Sequence, residues 1–247
     1  LISLRYHTVT KAINKEFWNS TSDTLHSIYV GSYGRNTAID TSDIDILVEL
    51  PSSLFDRYNN LSGNSQSRLL QAVRNAILNT YPRSDVRADG QVVKIAFSDG
   101  MYFEIVPAFK RWDGSYKYPD ANTGGSWSST NPKAEQEAMM HKNKISNGLL
   151  YDTCRHIRYI HDNYFSSYHL SGIVIDSFVY NAIENWRWLN SGESSSSPSG
   201  TYEQVLLDYY NQHGISYGMS INAPGSNDTV STSSSYECLG KVLRSMI

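Results

Sequence analysis

Two short segments hold the residues best suited to chemistry. Val30-Gly31-Ser32-Tyr33-Gly34-Arg35 follows a short β-type run, and Thr41-Ser42-Asp43-Ile44-Asp45-Ile46 comes after it, with Asp43 twelve residues beyond Gly31. A glycine directly after a strand lets the backbone approach a phosphate closely, and backbone N–H groups that open a following helix complete an anion site. Asp43 and Asp45, at i and i+2 on a strand, point to the same side and can share metal ions. Mg²⁺ takes carboxylate and phosphate oxygens, so two aimed carboxylates and a triphosphate would make an octahedral site. Each segment alone is ordinary: Gly-Ser pairs populate loops, and Asp-x-Asp populates solvated strand faces. A third acid changes the weight. Glu104 sits in Met101-Tyr102-Phe103-Glu104-Ile105-Val106-Pro107, on the face opposite Phe103 and Ile105, where a carboxylate is costly unless paired or bound to metal. Lys94, on the neighbouring strand, is the alternative partner for it. Three carboxylates behind a phosphate turn are the parts of a two-metal phosphoryl-transfer site.

The elements that must position these residues can be read from periodicity. Tyr6, Val9, Ile13 and Phe17 recur at helical spacing, and Ser27 to Val30 reads as a short strand. Ile44, Ile46, Val48 and Leu50 alternate with Asp45, Leu47 and Glu49, as in a strand with one face in the core, and Pro51 closes it. Leu69, Val73, Ala76 and Ile77 predict a helix ending before Pro82. Gln91–Phe97 and Met101–Val106 flank Ser98-Asp99-Gly100 and predict a hairpin. From Ala134 onward the apolar positions are helical: Leu150, Cys154, Ile157 and Ile160, then Ile175, Val179, Ala182, Trp186 and Leu189. The polar stretches Asn190–Gly200 and Ser226–Ser235 read as surface loops.

The totals narrow the function classes. A chain of 247 residues can bury a sizeable core in one large or two small domains. Its formal net charge of -3 offers no basic track for a long polyanion, so no long nucleic acid is expected as partner. Two cysteines, Cys154 and Cys238, make no disulfide framework and have no metal-ligand spacing. The histidines form no H-x-x-x-H or Cys/His cluster, so no zinc site is expected. No apolar run is long enough for a bilayer span, and residues 1–17 are too charged for a secretory leader, so a soluble cytoplasmic protein with no membrane partner is expected.

Taken together, Gly31-Ser32-Tyr33-Gly34-Arg35-Asn36-Thr37-Ala38-Ile39, Ser42-Asp43-Ile44-Asp45 and Glu104-Ile105-Val106-Pro107-Ala108-Phe109 resemble the bacterial cGAS/DncV-like nucleotidyltransferases. These are cyclic oligonucleotide synthases of the SMODS type, in the DNA polymerase beta-like superfamily. Further likeness runs through Asp89-Gly90-Gln91-Val92-Val93, Gly125-Ser126-Trp127, Thr130-Asn131-Pro132-Lys133, Cys154-Arg155, Ser171-Gly172 and Ala223-Pro224-Gly225-Ser226. Two positions depart: family members commonly have Gly where Asn36 stands, and a lysine where His161 stands.

The resemblance implies an α+β fold. A nucleotidyltransferase lobe with a mixed sheet would span 1–130, a helical lobe 131–247, and the active site would lie in the cleft between. It implies that Asp43, Asp45 and Glu104 are catalytic and hold two Mg²⁺ ions, with Mn²⁺ as a substitute. Gly31, Ser32, Arg35, Gln91, Arg155, Arg158, Ser177 and Tyr180 would bind the nucleotide. Arg155 and Arg158, one helical turn apart, would replace the charge missing at His161, unless they are an ordinary solvated helix face. Tyr180 would stack on a base, unless it simply packs. The implied activity is synthesis of a cyclic di- or trinucleotide from nucleoside triphosphates such as ATP or GTP. Pyrophosphate would be released, the setting would be anti-phage (CBASS-type) signalling, and a regulatory protein would be a further partner. The alternatives are nucleotidyl transfer to RNA, a small molecule or a protein, and a nucleotide-binding regulator without catalysis.

Overall fold

The computed structural model describes residues 1–213 and 215–247. Two compact units emerge: residues 1–34 with 43–131, and residues 35–42 with 132–247. The stretch between the Gly31 turn and Asp43 therefore groups with the C-terminal half of the chain, where sequence reading drew one boundary at 130/131.

The first unit is a mixed sheet covered on one face by helices. Helix α1 (Ile2–Phe17) leads into β1 (Ser27–Tyr29), the four-residue turn α2 (Gly31–Gly34) and β2 (Ile44–Glu49). Then come α3 (Ser52–Asn59), α4 (Ser65–Leu78), β3 (Asp85–Asp89), β4 (Val92–Ala96), β5 (Tyr102–Lys110), β6 (Tyr116–Asp120) and β7 (Ser126–Thr130). The strand order is β1-β2-β5-β4-β3, with β6 joining the far end of β5 and β7 pairing with β6. The β2–β5 pairing is parallel and the others are antiparallel.

Alternation along the strands sends Ile44, Ile46, Val48, Val93, Ile95, Phe103 and Ile105 to one face. There they pack with Val9 and Ile13 of α1 and Leu69, Leu70, Val73 and Ile77 of α4. Helix α4 opens on Asn64, whose side chain accepts a hydrogen bond from the Ser67 N–H at 2.9 Å, satisfying one of the free donors of its first turn. Helix α3, which the apolar spacing does not announce, begins directly after Pro51, whose φ of -57° suits the turn into a helix. Asp43 lies one residue ahead of β2 rather than within it.

The second unit comprises α5 (Pro132–Ile145), α6 (Leu149–Tyr164), α7 (Gly172–Ala182), α8 (Thr201–Gln212), the hairpin β8 (Ser220–Asn222) and β9 (Thr229–Ser231), and α9 (Tyr236–Ser245). Met139, Leu150, Ile157, Phe178, Leu206 and Leu239 share its core. Two expectations change here. The helix expected to continue through Trp186 and Leu189 stops at Ala182. Glu184 takes φ +46°, incompatible with a right-handed helix, and Trp186 packs on Tyr202 with ring centroids 5.6 Å apart. The stretch Ser226–Ser235, expected as a loop, contributes β9, with Val230 opposite Ile221. Among the described residues no helix is long and apolar enough to cross a membrane.

A buried ion cluster sits inside this unit. Asp176, fully buried on α7, accepts from Arg158 Nη1 at 2.7 Å, Arg158 Nη2 at 3.0 Å, Arg35 Nε at 2.8 Å and Thr37 Oγ1 at 2.9 Å. Arg35 Nη1 also donates to Glu135 of α5 at 3.0 Å. Burial alone would push the Asp176 carboxyl up, but the two guanidiniums outweigh it and hold it below the usual carboxylate range. At Glu135 burial wins and its carboxyl is raised. Removing one member of such a cluster strands the others in low dielectric, so Asp176→Ala should cost about 3–5 kcal/mol of stability. Urea unfolding followed by far-UV circular dichroism checks this, and a loss under about 1 kcal/mol would contradict the cluster's weight in the fold.

Candidate active site

The site is built on the face of the sheet opposite the core. In the parallel pairing of β2 with β5, Asp45 stands directly opposite Glu104. In the antiparallel pairing of β5 with β4, Glu104 stands opposite Lys94, and Lys94 in turn stands opposite Arg87 of β3. Strand alternation and these registers line up Arg87, Lys94, Glu104 and Asp45 across four strands. Lys94 Nζ lies 3.3 Å from Glu104 Oε1 and 3.0 Å from Asp89 Oδ2, so the alternative partner for Glu104 is the one in place.

Gly31 is packed against the Asp45 carboxylate. It has φ +59°, and a Cβ there would land on Asp45 Oδ2 and stand 2.6 Å from Asp45 Cγ. Only glycine combines this backbone angle with this approach. The Val30 N–H donates to the Asp45 carbonyl at 2.9 Å and the Gly34 N–H to the Val30 carbonyl at 2.8 Å. The turn is thus tied to the strand that carries the carboxylate. Partial desolvation where the chain enters β2, and then the charge of Glu104, hold the Asp43 carboxyl above its usual range, while Lys94 draws it down. Among the described residues no three or more His, Cys, Asp or Glu side chains converge as a metal-holding group. The donor set at Asp43, Asp45 and Glu104 is nevertheless all oxygen, and the mutual repulsion of Asp43 and Glu104 is what a hard divalent cation would relieve. These residues fit such an ion.

The other residues singled out from sequence fall in several places. Gln91 donates to Asp120 Oδ2 at 2.8 Å, closing the β3–β4 turn onto β6. Arg155 is part-exposed, donating to the Asn36 carbonyl at 2.7 Å. Tyr180 is part-buried against the helical core, with Lys142 Nζ 5.8 Å from its ring centroid. The Arg35 and Arg158 guanidiniums are both engaged in the buried Asp176 cluster, where a buried carboxylate requires opposite charge. Ser177 is fully buried, and its Oγ has no hydrogen-bond partner among the described residues. Both departures find local reasons. Asn36 takes φ +60°, a left-handed angle that glycine favours and asparagine tolerates. His161 Nδ1 stands 2.8 Å from Asp162 Oδ1 and its Nε2 stands 2.9 Å from the Tyr168 carbonyl oxygen, so both ring nitrogens are engaged within α6 and the loop after it.

Sequence reasoning missed Asp176 and Glu135. A signal existed for the first: Ile173-Val174-Ile175-Asp176-Ser177-Phe178-Val179 places one acid in an otherwise apolar helix, the same anomaly that drew attention to Glu104.

The family model described as the Second Messenger Oligonucleotide or Dinucleotide Synthetase domain matches residues 1–143, more than half of the chain. No curated protein matches. Among solved structures, the chain is similar to the CdnE cyclic dinucleotide synthase of Elizabethkingia meningoseptica with GTP and Apcpp, at 16% identity and TM-score 0.61, covering 98% of this chain and 89% of that one. It is similar to a STING-associated CdnE c-di-GMP synthase from Capnocytophaga granulosa, at 15% identity and TM-score 0.66, covering 99% and 80%. The E. coli CdnC:HORMA complex aligns at 13% identity and TM-score 0.56, covering 99% and 82%. At such identities the likeness is one of fold.

The electrostatics of the carboxylates generate a prediction. Asp43 binds its proton more tightly in the folded than in the unfolded chain, so its contribution to stability is present at low pH and lost as pH rises through the raised folded value. In chelator-treated protein near pH 7.5, Asp43→Asn should therefore leave Tm unchanged or raise it by up to about 2 °C. Lowering the pH through the carboxylate range should erase the gain. A Tm several degrees below the parent, by differential scanning fluorimetry, would mark Asp43 as a structural residue instead.

Proposed function

We propose that this chain, which belongs to the Second Messenger Oligonucleotide or Dinucleotide Synthetase family and is a nucleotidyltransferase making cyclic oligonucleotides, uses Asp43, Asp45 and Glu104 as its catalytic carboxylates. The observation that carries this reading is the register placing Asp45 opposite Glu104 on the solvent-side face of the sheet, with Gly31 packed on Asp45. In this reading the donor is a nucleoside triphosphate, ATP or GTP, whose phosphates lie along the Gly31-Ser32 turn, beside the Asp45 carboxylate on which Gly31 packs. Asp43, Asp45 and Glu104 would hold two divalent ions, Mg²⁺ or Mn²⁺. When bound, such ions acidify the acceptor hydroxyl and neutralise the departing pyrophosphate. The acceptor ribose oxygen attacks the donor α-phosphorus, the new P–O bond forms as the bond to pyrophosphate breaks, and the hydroxyl proton leaves to solvent. Repeating the step within the linear product closes the ring, giving a cyclic di- or trinucleotide.

Arg155, part-exposed and held on the Asn36 carbonyl, is the basic residue of the sequence-derived set that remains available to a phosphate, and Tyr180 and Gln91 are left as base or ribose contacts. An anti-phage signalling role and a regulatory protein partner belong to the same proposal, the latter supported by the CdnC structure having been solved with HORMA.

Incubation with ATP, GTP and Mg²⁺ and no nucleic acid, followed by phosphatase digestion and mass spectrometry, tests the reading. A phosphatase-resistant product with pyrophosphate release is expected. Asp43→Asn, Asp45→Asn and Glu104→Gln should each reduce it at least about a hundredfold. Glu104→Asp, which keeps the charge, should retain part of it. Products that all lose their phosphates, or that appear only with an added RNA, small-molecule or protein acceptor, would replace cyclisation with ordinary nucleotidyl transfer.

A further inference from the structure

One cation lies inside the carboxylate site itself. Lys94 Nζ is 3.3 Å from Glu104 Oε1 and 3.0 Å from Asp89 Oδ2, and its positive charge also reaches Asp43. Its position is not accidental to a flexible side chain. The β4–β5 register sets Lys94 directly opposite Glu104, and the β2–β5 register sets Glu104 directly opposite Asp45. Directly opposite residues have Cβ atoms about 5 Å apart, so the ammonium is delivered to Glu104 by the sheet. Asp89, on β3 beside the turn into β4, gives the same ammonium a second anchor. Arg87, the next residue outward in the row, is satisfied by Asp85 at 2.8 Å and is largely exposed.

We propose that Lys94 is an intramolecular counter-ion that occupies Glu104 when no metal is bound and competes with divalent cations for it, with Asp89 as the partner that keeps the ammonium when Glu104 is released. The inference rests on Glu104 being a metal ligand, as argued above. Its physical basis is that a carboxylate paired to a lysine has less charge to offer a second cation, and that an ammonium close to the site repels an incoming divalent ion. The pairing stabilises the empty site, where the carboxylates would otherwise repel one another, and it lowers the affinity for free metal. Metal loading therefore becomes more dependent on the triphosphate, which brings its own negative oxygens.

Direct metal binding tests this without reference to turnover. Mn²⁺ is titrated into the nucleotide-free full chain, and free Mn²⁺ is read by electron paramagnetic resonance. Lys94→Met should tighten Mn²⁺ binding about three- to fivefold, the upper scale of one part-exposed ion pair. Lys94→Arg keeps the charge and should stay within about twofold of the parent, and so should Arg87→Met. Melting curves give a second readout: the Tm rise on adding Mg²⁺ should be larger in Lys94→Met than in the parent, because its metal-free form loses the counter-ion. Unchanged or weaker Mn²⁺ binding in Lys94→Met, with Glu104→Gln still weakening it, would overturn the competition while leaving the metal reading intact. Mn²⁺ binding indifferent to Asp43→Asn, Asp45→Asn and Glu104→Gln alike would overturn the metal reading and the competition with it.

Discussion

The parallel pairing of β2 with β5 is the constraint on which the candidate site depends. It sets two carboxylates, Asp45 and Glu104, directly opposite each other, an arrangement that costs free energy in a sheet. The register holds because the other face of the same strands is fully apolar: Ile44, Ile46, Phe103 and Ile105 are all buried against α1 and α4. A slip of one residue would put these side chains into solvent and the carboxylates into the core. Burial on one face thus imposes charge crowding on the other. The remaining features of the first unit adapt to that crowding: Gly31 gives up its side chain to leave room for Asp45, and Lys94 arrives on the adjacent strand as a counter-charge.

The second unit meets the opposite problem, a carboxylate in the core rather than on a face. Asp176 is tolerable there because four hydrogen bonds from Arg158, Arg35 and Thr37 surround its two oxygens closely enough to outweigh burial. Two of those residues, Arg35 and Thr37, come from the eight-residue stretch that leaves the Gly31 turn and returns to Asp43. Between them Asn36 turns through a left-handed angle with its carbonyl accepting from Arg155. The stretch has almost no apolar burial of its own, so hydrogen bonds and ion pairs fix its path. That explains why a polar motif, Arg-Asn-Thr, follows the glycine turn where a hydrophobic anchor would serve in an ordinary loop.

Legibility in the sequence followed the strength of periodic burial. The alternation of 44–50 and the turn at Ser98-Asp99-Gly100 announced β2 and the β4–β5 hairpin because one face of each is in the core. Strands β6 and β7 carry mixed patterns, Tyr-Lys-Tyr-Pro-Asp and Ser-Trp-Ser-Ser-Thr, whose burial does not alternate: on β6 Tyr116 and Pro119 are buried, and on β7 no residue is fully buried. Short β8 and β9 gave no signal either. Trp186 and Leu189 continue the helical spacing past Ala182, but Glu184 breaks the backbone and the helix ends before them. At the site, residue type and spacing pointed to the three carboxylates. They did not separate arginines that meet solvent from arginines spent on a buried acid, since Arg155 and Arg158 occupy one helix a turn apart and only the fold reveals which one faces Asp176.

That distinction bears on where positive charge is available. Arg35 and Arg158 are neutralised by Asp176 and Glu135, and His161 is engaged by Asp162 and the Tyr168 carbonyl. Of the basic side chains that the motif and the α6 helix supply, Arg155 keeps about 44% of its side-chain surface exposed, and its ion-pair contact with Asp152 is a long 3.8 Å. A guanidinium that already uses one N–H on a backbone carbonyl is oriented, yet has other donors free for a planar, doubly hydrogen-bonded anion. Holding an arginine ready in this way loses less side-chain entropy on binding than ordering a free lysine would. In the proposed reading, the charge that His161 does not supply to the phosphates is carried by Arg155, six residues or about 1.7 turns earlier on α6.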